Sequence, residues 1–429
     1  MDNKWVKPND YTKEEATIEA NRCLSCKTPL CQTGCPTHMR IRDFIKEIKN
    51  DNLDAARKII DGCSSLSNIC SIVCPHENQC VGHCVMNRMK VPKPINVGAL
   101  ERYVQNNTKD KIEKKNIINV SVAVIGAGPA GLACSKELLA SGAHVEIFER
   151  EAVAGGVMTY GIPSYRLDYA DVLKNVKDVE DLGGIFHYEC KMMESDILEL
   201  KNKFDYVFIA TGLTKVRHLG IPNDNISGVY DALDFLTNVN YAIKLNKGQL
   251  PKLYGTAVIV GAGNVAMDAA RSAVRLGCSK VIVAYRRSRE EAPATKHEIS
   301  DAEREGVEFN FLLNPVEVIG NDCVEGVKCE IMRLAEADES GRRKPVGTNE
   351  FKTIPCDFII SAIGQIPENI YNSNVIKTDH SYICAGDDLS TNVNGIYTGG
   401  DVTLGAKTVV LAMDCGRRFA KIVIEENTK

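Results

Sequence analysis

No stretch of the sequence approaches the ~20 uninterrupted apolar residues that a membrane-crossing helix needs. Its start, Met1-Asp2-Asn3-Lys4-Trp5, lacks the apolar core of a signal peptide, so a cytoplasmic protein with no membrane association is expected. Neither sign of charge dominates, with 52 Lys and Arg against 56 Asp and Glu. The 429 residues carry a formal net charge of −4, which gives no long-range pull toward nucleic acid. There is no low-complexity stretch. The 17 cysteines are odd in number and follow no export signal. Together with a chain long enough for two or three cored domains, this argues against a disulfide scaffold. With 44% apolar and 25% charged residues, the composition is that of a globular protein.

What is present is unevenly placed. Nine cysteines fall between Cys23 and Cys84, and eight are scattered from Cys134 to Cys415. In a reducing compartment such a block more often binds metal or does redox work. Around it the pattern is helical. Thr12-x-x-Glu15 reads as a capping box for a helix leading to Asn21. Ile41, Phe44, Ile45 and Ile48 share one helix face, and a further helical turn is predicted near Ala55 to Ile60. Lys109 to Asn119 reads as a polar linker.

From Ser121 the texture changes to strand, glycine-rich loop, helix, strand. Ser121 to Ile125 leads into Gly126-Ala127-Gly128-Pro129-Ala130-Gly131, then a helix through Leu139 and a strand from Ala143 to Glu149. The same unit returns from Thr256, with Gly261-Ala262-Gly263-Asn264-Val265-Ala266, a helix to Leu276 and a strand Lys280 to Tyr285. In this motif the first glycine turns the chain, the second lets the backbone approach a pyrophosphate, and the third lets helix and strand pack closely. The pyrophosphate then sits at the positive end of the helix. The first copy ends its second strand on an acid, Glu149, which can accept from both ribose hydroxyls of FAD or NAD. The second copy has no acid there. It has Tyr285-Arg286-Arg287, and guanidinium groups favour a 2′-phosphate, so NADP(H) is expected.

Three further segments are consistent with a flavin in the first site. Gly155-Gly156 follows Glu149, Ala210-Thr211-Gly212 follows a predicted strand Tyr206 to Ile209, and Thr398-Gly399-Gly400-Asp401 precedes a helix from about Thr408. Asp401 is placed to meet ribityl hydroxyls or phosphate, and the helix N-terminus at Thr408 to stabilise a reduced flavin. Each is also readable as an ordinary glycine-rich turn. The arrangement is similar to the flavoproteins with two dinucleotide-binding domains, in which an NADP domain is inserted into an FAD domain. The disulfide reductases of that group carry a redox CxxC pair, and this chain has none outside its N-terminal block, so electrons must leave by another route.

The block supplies one: Cys23-x2-Cys26-x4-Cys31-x3-Cys35-Pro36, then Cys70-x3-Cys74-Pro75-x4-Cys80-x3-Cys84. Short thiolate loops closed by a remote ligand suit iron–sulfur clusters, with structural zinc the competing reading. With Arg22-Cys23-Leu24-Ser25-Cys26, Gly34-Cys35-Pro36, Val73-Cys74-Pro75, Pro94-Ile95-Asn96, Leu100-Glu101-Arg102-Tyr103, Tyr285 to Glu291 and Gly400-Asp401, nearly the whole chain resembles the small-subunit family of NADPH-dependent glutamate synthase. It is also similar to the N-terminal part of dihydropyrimidine dehydrogenases and to the large subunit of NADH-dependent ferredoxin:NADP oxidoreductases.

The resemblance implies two [4Fe–4S] clusters, one held by Cys23, Cys26, Cys31 and Cys84, the other by Cys35, Cys74, Cys80 and Glu101. Spacing alone would make Cys70 a ligand. The resemblance also implies that Arg166, in Gly161 to Leu167, contacts the flavin, and that Gly364, in Ser361 to Gly364, faces the nicotinamide. The expected architecture is α/β: a helical double-cluster domain (1–118), then an FAD domain (119–250 and 365–429) interrupted by an NADP(H) domain (251–364). The expected function is electron transfer from NADPH through FAD and clusters to a larger catalytic subunit or a ferredoxin-type acceptor, with no catalytic acid or nucleophile required. The alternatives are a bifurcating transhydrogenase subunit, a pyrimidine-reducing subunit and, in a different class, a zinc-stabilised interaction module.

Overall fold

The computed structural model describes residues 10–109, 114–337, 343–371 and 374–428. The first residues and part of the predicted linker, 110–113, lie outside them. The chain forms two compact units. The larger comprises 7–159, 166–215 and 366–429; the smaller comprises 160–165 and 216–365. The segment 216–250, expected to continue the FAD domain, therefore groups with the second glycine loop. The reason is strand pairing: Val229–Asp231 joins the sheet of the smaller unit through Phe358–Ser361.

The larger unit begins with six α-helices. Lys13–Asn21 starts where the capping box predicts: the Thr12 hydroxyl accepts from the Glu15 N–H (3.2 Å) and the Thr12 N–H donates to Glu15 (2.8 Å). In Ile41–Lys49 the buried residues are Ile41, Phe44, Ile45 and Ile48, as their spacing demands. These pack with Leu100 and Val104 into a core against which Cys23, Cys31, Cys35 and Cys84 lie half-buried.

A five-stranded parallel sheet follows, in the order Ile396–Thr398, Tyr206–Ile209, Ser121–Ile125, His144–Phe148, Ile185–His187. Such a sheet needs cover, and the continuous burial of Val122, Ala123, Val124 and Ile125 shows that it has it. The helix Pro129–Ala140 and the last helix, Val409–Asn427, pack against one another, and Phe208 stacks on Phe419 with ring centroids 4.6 Å apart.

The helical part is bolted to this sheet by polar contacts. Arg102 donates to both oxygens of Asp171 (2.7 and 3.1 Å), Asn68 to the Asp171 carbonyl (2.9 Å), and Asn175 to Asn68 (3.0 Å). Glu137 accepts from Ser65 (2.6 Å) and Arg417 (3.0 Å).

The smaller unit repeats the plan: Val229–Asp231, Phe358–Ser361, Thr256–Val260, Lys280–Tyr285, Glu308–Phe311, all parallel. Between its last two chain-order strands it inserts an antiparallel sheet of Leu313–Ile319, Gly326–Ala337 and Arg343–Pro355, which the sequence reading did not anticipate. Among the described residues no helix is long and apolar enough to cross a membrane.

Arg102→Ala leaves the Asp171 carboxylate without its bidentate partner. It is expected to lower the unfolding free energy of the larger unit by about 2 kcal/mol, measured by urea denaturation.

Candidate functional site

Both glycine loops are built the same way. Gly126 (φ +104°) and Gly261 (φ +124°) follow the central strand of each parallel sheet, Ser121–Ile125 and Thr256–Val260, where a Cβ would sit 2.6 Å from the Ala210 carbonyl oxygen and 2.5 Å from that of Ala362. A side chain at either position would collide with backbone, so the turn demands glycine. Ala210 and Ala362 each follow the neighbouring strand, and two residues further on stand Gly212 (φ +66°) and Gly364 (φ +113°), both beside open space. The pairing of these two glycines was present in the sequence as strand-Ala-x-Gly, but only the matching topology makes them equivalent.

At the first loop, Gly128 is the N-cap of Pro129–Ala140 and has only the Gly156 Cα, 4.0 Å away, near its missing Cβ. Proline at the first helical position supplies no N–H, so it wastes none. Ala130 is buried beneath, and a Cβ on Gly131 would lie 1.9 Å from the Gly126 oxygen. Glu149 is buried at the end of its strand and accepts from the N–H groups of Ala127 (2.7 Å) and Glu151 (2.9 Å). Burial raises its pKa against the pull of those two bonds.

The chain returns to this loop at Gly400, whose Cβ would meet Ala130 at 3.2 Å. Asp401 follows, its carboxyl pushed up to about 6 by burial. Thr408 is the N-cap of the 19-residue helix Val409–Asn427, yet its hydroxyl makes no capping bond and is buried without a partner. An orphaned hydroxyl at a long helix's N-terminus fits a ligand carrying hydrogen-bonding groups and partial negative charge, as a flavin does. Arg166 is half-buried and engaged within the protein.

At the second loop, Gly263 caps Asn264–Leu276 and nothing lies within 4 Å of its missing Cβ. The Asn264 side-chain oxygen is buried and unpartnered, Val265 is exposed, and Ala266 is fully buried. Arg286 is exposed after the strand Lys280–Tyr285, while Arg287 is half-buried and donates Nε to the Arg343 carbonyl (3.0 Å). Arg343 carried no signal in the sequence, because it stands 56 residues away on the unanticipated sheet.

All 17 cysteines are free. Cys23, Cys26, Cys31 and Cys84 line one cavity, walled otherwise mainly by apolar side chains such as Leu24, Ile45 and Met86. Burial, then the charges of Cys84 and Cys23, push the Cys31 thiol up to about 11. A second group forms around Glu101. Burial and then Cys35 and Glu101 raise Cys80; a hydrogen bond with Cys70, burial and then the charges of Cys70, Glu101 and Cys80 raise Cys74. Glu101 is itself raised by burial and by Cys70, and its Oε1 is buried without a partner. Among the described residues no three His, Cys, Asp or Glu side chains converge as a single-ion site requires. Two rings of acidic donors, in which neighbours oppose the ionisation of Cys31, Cys74, Cys80 and Glu101, suit a group that brings compensating positive charge and several metal atoms.

Comparison with known proteins agrees with both halves. The family model "dihydropyrimidine dehydrogenase domain II, 4Fe-4S cluster" matches residues 3–113, and "pyridine nucleotide-disulphide oxidoreductase" matches 120–416. The small chain of NADPH-dependent glutamate synthase from Azospirillum brasilense is 32% identical, covering 96% of this chain and 89% of that one. The beta subunit of an NADP(+)-dependent formate dehydrogenase from Moorella thermoacetica is 34% identical over 96% of this chain and 62% of that one. In fold, the chain is similar to Mycobacterium tuberculosis FprA in complex with NADPH, with a TM-score of 0.61 and 18% identity over 72% of this chain and 84% of that one.

The glycines separate two roles. Gly131→Ala collides with backbone and is expected to prevent stable flavin binding through misfolding of the loop. Gly263→Ala meets no protein atom, so it is expected to fold normally and to weaken nicotinamide-dinucleotide binding by about ten-fold or more. Thermal melting and coenzyme titration distinguish the two.

Proposed function

This chain belongs to the pyridine nucleotide-disulphide oxidoreductase family, in the form with an N-terminal 4Fe-4S domain that glutamate synthase small chains share, and we propose that it is the electron-input subunit of a larger enzyme. It is an NAD(P)H-dependent flavoprotein oxidoreductase using FAD, NADP(H) and [4Fe–4S] clusters. When bound, the nicotinamide gives electrons in pairs, the clusters take them singly, and the flavin between them does both.

The observation that carries the proposal is the cavity ringed by Cys23, Cys26, Cys31 and Cys84, in the same compact unit as the Glu149 glycine loop. In this reading Gly126, Gly128, Pro129, Ala130, Gly131, Glu149 and Gly156 hold the FAD pyrophosphate and ribose. Arg166, Gly212, Gly400, Asp401 and Thr408 surround its flavin end. Gly261, Gly263, Asn264 and Val265 cradle the NADP(H) pyrophosphate, Arg286 and Arg287 take its 2′-phosphate, and Gly364 faces the nicotinamide. One cluster is held by the four cysteines of the cavity, the other by Cys35, Cys74, Cys80 and Glu101.

The two cages differ in setting. The helix Ser67–Val73, which leads into Cys74, packs against Tyr169–Asp181 and Val409–Asn427 of the flavin-binding part. The Cys23–Cys26 loop instead turns Leu24 outward, 63% exposed. This supports the second cage as the one facing the flavin and the first as the one facing the acceptor. The acceptor is a larger catalytic subunit or a ferredoxin-type protein. Relatives sharing about a third of their residues bear the names of glutamate synthase, formate dehydrogenase and an NADPH-Fe(3+) oxidoreductase, so one input module serves several outlets. A cytoplasmic location suits a chain with this many free thiols.

Anaerobic purification tests the proposal directly: about eight iron and eight acid-labile sulfide per chain, with flavin bleached by NADPH and a larger protein co-purifying, are expected. Colourless, zinc-loaded protein would overturn it. Replacing Arg286 and Arg287 together by Ala is expected to raise KM for NADPH on the order of 30-fold and leave NADH within about three-fold; equal losses would remove the 2′-phosphate role. Glu101→Ala is expected to alter the EPR signal of one cluster and spare the other. An unchanged spectrum would return Cys70 to the ligand set.

A further inference from the structure

We propose that Arg343 is a positioning residue for coenzyme selectivity: it cancels the charge of Glu291 and steadies Arg287 in the loop that follows Lys280–Tyr285. The inference rests on the reading of Arg286 and Arg287 as 2′-phosphate ligands.

The loop is a mixed one. Within six residues it carries Arg286, Arg287 and Arg289 but also Glu290 and Glu291. A carboxylate beside a 2′-phosphate repels it, and such repulsion is how NAD-preferring sites exclude NADP. Each charge must therefore be accounted for.

Arg289 is withdrawn from the ligand by Glu303, to which it donates two bonds (2.5 and 2.8 Å). Glu290 shares the single Ser288 hydroxyl proton with Glu291 and stands 3.8 Å from Arg343 Nη2, and its side chain is 73% exposed, where water screens it. Glu291 is the acid that solvent does not screen, with a side chain only 8% exposed. It accepts from Arg343 Nε (2.5 Å), from the Ser288 hydroxyl (2.6 Å) and from the Ser288 N–H (3.2 Å). Burial raises Glu291, but the bonds from Ser288 and Arg343 outweigh it and hold the carboxyl below its ordinary range. The acid is thus ionised at neutral pH, and Arg343 is its counter-charge.

Arg343 acts on the loop a second time through its backbone. Its carbonyl accepts Arg287 Nε at 3.0 Å, leaving both Nη groups of Arg287 without a partner among the described residues. A guanidinium anchored by Nε presents its two terminal amino groups as a fork, the geometry that meets a phosphate. Arg343 also donates Nη2 to the Ser288 hydroxyl (3.2 Å), so the turn, the acid and the arginine fork share one fastening.

The test uses the full-length, cofactor-loaded protein and a small artificial electron acceptor, with kcat/KM measured separately for NADPH and NADH. Arg343→Ala is expected to lower kcat/KM for NADPH about ten-fold while NADH stays within about two-fold. Adding Glu291→Gln to that variant is expected to restore most of the loss, since Gln keeps the capping bonds and drops the charge. Arg343→Gln, which keeps length without charge, gives the same reading should the alanine variant fold poorly. Equal losses for both coenzymes, or no restoration by Glu291→Gln, would overturn the inference. Arg286→Ala separates the two levels. If it leaves the NADPH:NADH ratio unchanged, the 2′-phosphate reading falls. If it lowers the ratio and Arg343→Ala does not, only the role of Arg343 falls.

Discussion

Around the first turn of the helix Pro129–Ala140, stretches of backbone distant in sequence come closer than side chains permit. Gly131 lies on the Gly126 carbonyl, Gly156 on the Gly128 Cα, and Gly416 on the carbonyl of Ala130, each with space for hydrogen only. The contact with Gly416 matters most for the architecture. It lets the last helix of the chain cross the first helix of the sheet at backbone distance, and so closes a fold interrupted by the whole smaller unit. The same crowding leaves the helix N-terminus with no side chain over it, which is the condition for a pyrophosphate to approach the free N–H groups.

A second constraint is electrostatic. The helical part gathers thiols and a glutamate around a core lined by Phe44, Ile45 and Leu100, where burial disfavours the ionisation of Cys80 and Glu101. Among the described residues Glu101 Oε1 has no hydrogen-bond partner. Unsatisfied acceptors are expensive inside a core. The arrangement makes physical sense as the donor set of metal clusters, whose positive charge converts the repulsion into ligation. The polar bolts Arg102–Asp171, Asn68–Asn175 and Ser65–Glu137 then tie the donors to the parallel sheet and its helices.

The loop that follows Lys280–Tyr285 in the smaller unit obeys a different rule, charge accounting rather than close approach. Arg286 and Arg287 alone would suggest a strongly basic site, but two glutamates follow within four residues. Arg343, Ser288 and Glu303 sort the charges into those tied off and those left for a ligand.

The elements legible in the sequence are those with local causes. Ser121–Ile125, Asn264–Leu276 and Lys280–Tyr285 begin and end where apolar runs, glycines and caps require, and the repeated glycine loop exposed the duplicated fold because its mechanism lies within some thirty residues. Likeness to a family, rather than spacing, pointed to Glu101. Tertiary structure decided the rest. It assigned 216–250 to the smaller unit through a strand pairing no local pattern encodes, and it brought Gly416 onto Ala130 across the length of the sheet domain. It also set Arg343 against Glu291 from a sheet inserted later in the chain. Local sequence fixes what a segment of backbone does with its own hydrogen bonds and side-chain periodicity. Which distant segment then supplies the counter-charge or the close contact depends on how the sheets close.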